Sequence, residues 1–203
     1  MMFPEFNTSA AWQADDLIDN TSWVFHLDER AAEHLVKVTR KALDPDRPIF
    51  DYRQDECDLG PATEVIEKAV REAHFRCGLS LLKGLPYGLL NAAEYKFLVW
   101  LIGLKIGVAR PQGKATQYIS EVRATGNTYR AAGGRGYNTN SSLDFHADGC
   151  DIVALACFSN AKAGGQSLIS SSVSAWQVLV AERPDLAEVA CQMFYFSRNQ
   201  EEA

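Results

Sequence analysis

An imidazole and a carboxylate two residues apart, His146 and Asp148, lie in the run SSLDFHADGCDIVAL. Alternation along a strand points residues i and i+2 to the same face, so both side chains can converge on one ion. A neutral nitrogen donor plus a hard carboxylate supplies two donors of the 2-His-1-carboxylate triad, which holds non-haem Fe(II) with positions left open. Gly149, directly after the pair, would leave bound groups room. The same spacing also suits a hydrogen-bonded His–Asp pair with no metal, and H-x-D alone does not choose between them. A second copy, His26-Leu27-Asp28, has a plainer reading: Asp28 as a helix N-cap and His26 as a partly buried strand residue.

Other catalytic signatures fail. Five residues separate Gly107 from Gly113-Lys114, one too many for a P-loop, and Ala115 stands where Ser or Thr belongs. The cluster Gly133-Gly134-Arg135-Gly136 is not a dinucleotide fingerprint, and neither G-x-S-x-G nor H-E-x-x-H occurs. Five scattered cysteines contain no CxxC pair, which suits reduced thiols rather than a zinc knuckle or redox pair. Lys and Arg total 20 against 26 Asp and Glu, a net charge of -6, and phosphate-tracking proteins normally carry the opposite excess. With 47% hydrophobic and 23% charged residues in 203, the composition is that of one globular domain. No signal peptide is visible, and the apolar run Phe97 to Ile106 is too short to span a bilayer. The expected setting is soluble and cytoplasmic, with no nucleic-acid or membrane partner. A homo-oligomer is compatible with the sequence.

Several elements must position the pair. Ser22–Leu27 reads as a strand, and Asp28 caps a helix to about Leu43. Residues 44–60 read as a surface loop. Pro61 opens a helix to Arg76 that stops at Gly78, and a strand Leu79–Lys83 follows. Asn91 with Glu94 forms a capping-box start for a helix through about Ile106. Gln117–Arg123 alternates like a strand, and 124–140 is a long polar loop. Leu143 to Phe158 reads as strand-rich, with CDIVALACF a buried strand. Ala163–Gly165 should turn tightly, Gln166–Ser170 form a strand, Val173–Glu182 a helix stopped by Pro184, and Met193–Ser197 a last strand.

The stretch from Arg135 to Leu186, RGYNTNSSLDFHADG onward, resembles the core of the TauD/TfdA family of Fe(II)/2-oxoglutarate-dependent dioxygenases. The family's first two metal ligands match His146 and Asp148. Its Gly-Gly-x-Thr/Ser turn matches Gly164-Gly165-Gln166-Ser167, which implies that Ser167 helps bind the distal carboxylate of 2-oxoglutarate. The helix ending in Arg183-Pro184-Asp185-Leu186 and the early turn LSLLKGLP (Leu79–Pro86) also fit, so the likeness covers roughly residues 60–200. It implies an α+β fold, a double-stranded β-helix (jelly-roll) core decorated by N-terminal helices. It also implies an enzyme that uses Fe(II), 2-oxoglutarate and O2 to hydroxylate or desaturate a small molecule, releasing succinate. Related halogenases lack the carboxylate of Asp148, so its presence favours oxygenation.

One feature departs from the family pattern. The family's third ligand is a distal histidine followed by an arginine for 2-oxoglutarate, yet no histidine follows His146; His26, His34 and His74 all lie upstream. Five to seven strands are readable where a jelly roll needs about eight. The expectation is therefore a single TauD/TfdA-like domain over 1–203, incomplete in this chain and lacking its C-terminal part. The alternative is a truncated, non-catalytic family member acting as a binding or partner-stabilising module. Candidate substrate residues are Ser142 and Asp144, on the ligands' strand face, and Arg135. With Arg123 and Arg130, Arg135 borders a loop that would act as a lid over an anionic substrate or remain simply solvated.

Overall fold

A computed structural model describes residues 3–111, 117–126 and 136–195. The described residues up to Val108 and from Asp151 onward form one compact unit, and Ala109–Cys150 belong to a second.

The first unit is a helical body carrying a small sheet. Its helices are α1 (Ala14–Asp19), α2 (Glu29–Ala42), α3 (Ala62–Phe75), α4 (Ala92–Ile106), α5 (Ser172–Glu182) and α6 (Pro184–Ala190). Strands β1 (Val24–His26) and β2 (Leu81–Lys83) pair in parallel, with Val24 opposite Leu81 and His26 opposite Lys83. Parallel neighbours need a crossover, and α2 and α3 provide it.

Caps explain the helix starts. The Asp28 carboxylate accepts the Ala31 amide at 2.7 Å and opens α2. Asn91 and Glu94 satisfy each other's backbone amides, each at 2.9 Å, so the capping box forms at α4. Gly78, at φ +82°, follows the end of α3. Gly84 is required: at φ +91°, a Cβ there would stand 2.5 Å from the Leu27 carbonyl oxygen. Pro184 follows the end of α5 at Glu182, as expected. It starts α6 at a first-turn position, where its missing N–H costs nothing.

The core gathers on α4, whose Tyr95, Phe97, Leu98, Trp100, Leu101 and Ile102 are all buried. Helix α2 contributes Ala31, Leu35 and Thr39, and α3 contributes Ala62, Ile66 and Ala69, each set at helical spacing. The 44–60 loop is pinned rather than loose. Arg47 makes two bonds to Glu56 (2.6 and 2.8 Å) and lies 4.0 Å over the Tyr52 ring. The Tyr52 hydroxyl donates to the Ala42 carbonyl and accepts from the Asp44 amide, and its ring meets Phe97 edge-on at 4.7 Å.

Most of the expected strands of the second half are not formed. Gln117–Arg123, Leu143–Phe158 and Gln166–Ser170 are irregular, and β1 and β2 make the sole ladder among the described residues. CDIVALACF is not a buried strand: Val153 is half exposed and Leu155 is 74% exposed. Alternating apolar side chains make a segment competent for a strand, but only a hydrogen-bonded neighbour makes it one. Met193–Tyr195 are irregular too, and the rest of that expected strand lies outside the described residues. The architecture is mixed, helix-rich with few strands, and the described residues form no jelly roll. No described helix is long and apolar enough to cross a membrane.

Phe97→Ala should cost about 3–5 kcal/mol in urea denaturation, because a fully enclosed ring leaves a cavity. Glu94 adds a pH signature. Amide donation from Asn91 holds its carboxyl below the usual range, with Arg40 adding to this against an opposing effect of burial. A depressed carboxylate stabilises the fold above its unfolded pKa of about 4.3, and that stabilisation is lost as pH falls through the folded value. The urea midpoint of Glu94→Gln should therefore decline less steeply than wild type below about pH 5.

Candidate metal centre

His146 and Asp148 lie in the second unit on irregular backbone, both exposed. The expected strand does not form here, so no ladder imposes the period-two alternation that would aim the two side chains together. Local hydrogen bonds set the ring instead. His146 Nδ1 lies 2.7 Å from the Asp144 carbonyl oxygen. A carbonyl only accepts, so Nδ1 carries the proton and the neutral ring keeps its lone pair on Nε2. Metal-bound histidines are commonly oriented this way, one nitrogen donating to a carbonyl and the other facing the ion.

The turn after the pair is also held. The Cys150 amide donates to the Asp148 carbonyl at 2.9 Å, and Arg110 Nη1 donates to the Gly149 carbonyl at 3.1 Å. Nothing in the sequence marked Arg110, since its partner is a backbone atom 39 residues away. A Cβ at Gly149 would meet no atom within 4 Å, so crowding does not demand glycine there.

Two donors of the right chemistry are thus present: a ring with a free Nε2 and an accessible carboxylate. Among the described residues, no three His, Cys, Asp or Glu come together as a metal-holding group. His146 and Asp148 are of donor types that suit a hard divalent ion.

Ser142 and Asp144 lie four and two residues before His146 and are exposed. Arg135, like Arg130, lies outside the described residues. Arg123 is mostly exposed and faces Glu121 at 3.7 Å. The long polar loop is closed at its base, where both the amide and the hydroxyl of Thr125 donate to the Asn138 carbonyl (2.9 and 3.2 Å).

Ser167 lies in the first unit, exposed on the irregular 166–170 segment. Before it, Gly164 and Gly165 take φ +73° and +77°, a backbone region that residues other than glycine rarely adopt. In the same unit, the Tyr95 hydroxyl donates to the Cys157 carbonyl at 3.1 Å, and its ring meets Phe158 at 5.4 Å. Burial pushes that hydroxyl's pKa up, with Cys157 adding to the effect. His34 and His74 take no part in the candidate centre; His34 Nε2 bonds the Asp58 carbonyl and His74 stacks edge-on against Phe75.

Comparison with known proteins places the chain in a family. The model of the taurine catabolism dioxygenase TauD, TfdA family matches residues 45–203, and the chain belongs to that family. Its members are typically Fe(II)- and 2-oxoglutarate-dependent dioxygenases. The chain is similar to FR-33289 synthase of Streptomyces rubellomurinus, 27% identical over 95% of this chain and 57% of that protein. It is also similar to the taurine hydroxylase-like protein SAT17 of Stachybotrys chartarum, 29% identical over 64% of this chain and 35% of that protein. The chain thus spans little more than half the length of one relative and about a third of the other.

In a mildly alkaline buffer, long-range proton–nitrogen NMR should show the His146 ring protonated at Nδ1 and bare at Nε2. Zn(II), a diamagnetic probe, should move the Nε2 signal. A ring protonated at Nε2 would contradict the orientation described.

Proposed function

We propose that this chain carries the iron- and co-substrate-binding part of an Fe(II)/2-oxoglutarate-dependent dioxygenase that hydroxylates or desaturates a small molecule. The observation that carries the reading is the His146 ring held by the Asp144 carbonyl, two residues before Asp148, in a chain of this family. His146 Nε2 and the Asp148 carboxylate would hold Fe(II). Iron, when bound, supplies the redox chemistry that couples O2 to the conversion of 2-oxoglutarate to succinate.

The chain's own residues bind and orient. Asp148 brings one negative charge against a dication and leaves the remaining coordination positions to other groups. The Asp144 carbonyl keeps the Nδ1 proton in place, so Nε2 stays a donor through turnover. Ser167, following Gly164 and Gly165, would donate its hydroxyl to the distal carboxylate of 2-oxoglutarate. Ser142 and Asp144 would face the substrate, and Arg135 would meet an anionic group on it. The name of the taurine hydroxylase-like relative supports hydroxylation.

The whole of 1–203 is read as one dioxygenase-type domain with a double-stranded β-helix core. Apolar side chains at Phe145, Leu155, Leu168 and Ile169, each more than 60% exposed, support that reading, because ladder formation would bury them. The second reading is a non-catalytic binding or partner-stabilising module.

The protein carrying this chain should release succinate from 2-oxoglutarate when supplied with Fe(II), ascorbate and air. Outer-shell changes at metal sites alone cost about 10–100-fold, so His146→Ala should lose at least about 100-fold. Undiminished turnover in His146→Ala would remove this residue from the centre, and no turnover in wild type would favour the binding module.

A further inference from the structure

Segment 3–13 makes an unusual set of contacts within the first unit. Asn7 Nδ2 donates to the Phe75 carbonyl (2.9 Å), the Ser9 hydroxyl to that of Arg76 (2.9 Å) and Trp12 Nε1 to that of Cys77 (2.8 Å). These are three consecutive carbonyls at the end of α3, where a helix leaves such groups without intrahelical partners. The other side of the segment grips α5. The Ser171 hydroxyl donates to the Ala10 carbonyl, and the Ser174 hydroxyl donates to that of Trp12 at 2.9 Å. Phe3 and Phe6 meet the Trp176 ring edge-on at 5.9 and 6.1 Å.

Ser171 is where these contacts matter most. It is 6% exposed, and its one hydroxyl serves two purposes. It accepts the Ser174 amide at 3.0 Å and so caps α5, while its proton goes to Ala10. Ser167 lies four residues upstream. Between them Leu168 and Ile169 are 77% and 62% exposed, so little packing fixes 166–170. That short segment runs from Gly164–Gly165, both at positive φ, to Ser171, whose hydroxyl is bonded to Ala10.

We propose that segment 3–13 is a brace that ties the end of α3 to the start of α5, and that Ser171 is the positioning residue for Ser167. The functional half of this rests on the dioxygenase reading, in which Ser167 binds the distal carboxylate of 2-oxoglutarate. The brace sets how far the Ser167 hydroxyl can wander from that carboxylate. Loosening it weakens co-substrate binding without altering the metal ligands.

Two variants separate the brace from the cap. Ser171→Asp keeps a good N-cap acceptor but, ionised, has no proton for Ala10. Ser171→Thr keeps both functions. In the full protein, Ser171→Asp should speed amide exchange across 166–171, with exchange in α4 unchanged, and raise the KM for 2-oxoglutarate about 10-fold with kcat nearly held. Ser171→Thr should match wild type in both. Exchange in Ser171→Asp that equals wild type, or that rises equally in α4, would overturn the brace. Faster exchange with an unmoved KM would overturn the positioning of Ser167. If wild type itself turns over no 2-oxoglutarate, the dioxygenase reading fails and the exchange comparison alone decides the brace. Should Ser171→Asp not fold, Ser174→Ala removes the neighbouring contact to Trp12 and is read in the same way.

Discussion

Helix α4 gives water little beyond its first turn and a strip at Gly103. Tyr95, Phe97, Leu98, Trp100, Leu101 and Ile102 are spread around its circumference and all are buried, so neighbours must close over it on several sides. Each such side chain contributes about 1.5–3 kcal/mol when removed from water, a larger return than any exposed polar contact of the unit. Helices α2 and α3 and the turn at Gln54–Glu56 pack against it. That requirement brings β1 and β2 together, since α3 also packs on both strands. The same helix reaches the 151–158 segment through the Tyr95 hydroxyl, which donates to the Cys157 carbonyl.

Backbone carbonyls, more than side-chain clusters, set the local hydrogen bonding of the candidate residues. The Asp144 carbonyl selects the His146 tautomer, the Gly149 carbonyl holds Arg110, and the carbonyls ending α3 hold segment 3–13. Carbonyl oxygens accept and never donate, so each bond fixes which partner carries the proton. This suits a binding centre whose donor atoms must stay deprotonated. It also leaves the side chains of His146 and Asp148 free to act as ligands.

Local signals in the chain were readable where they act over a few residues. The Asp28 and Asn91 caps and the glycine after α3 each depend on neighbours within four residues, and each forms; Gly164 and Gly165 also take the positive φ that glycine allows. Non-local demands were not readable. CDIVALACF alternates well enough for a strand, yet a ladder needs a partner whose position no local pattern encodes. The bonds from Asn7, Ser9 and Trp12 span 65–68 residues and involve ordinary polar side chains, so nothing in MMFPEFNTSAAW announced them. Pro184 was readable as a stop, since α5 ends at Glu182, and the same residue also opens α6 from a first-turn position. The H-x-D pair was legible as chemistry, but the carbonyl that orients its imidazole belongs to backbone and carries no residue signature.

His146 and Asp148 are proposed to hold a divalent iron. Anaerobic titration of the protein carrying this chain with Fe(II), followed by calorimetry, tests it most directly. Wild type should show a single saturable site that is lost in His146→Ala and weakened in Asp148→Asn. Iron binding of unchanged affinity in His146→Ala would contradict it.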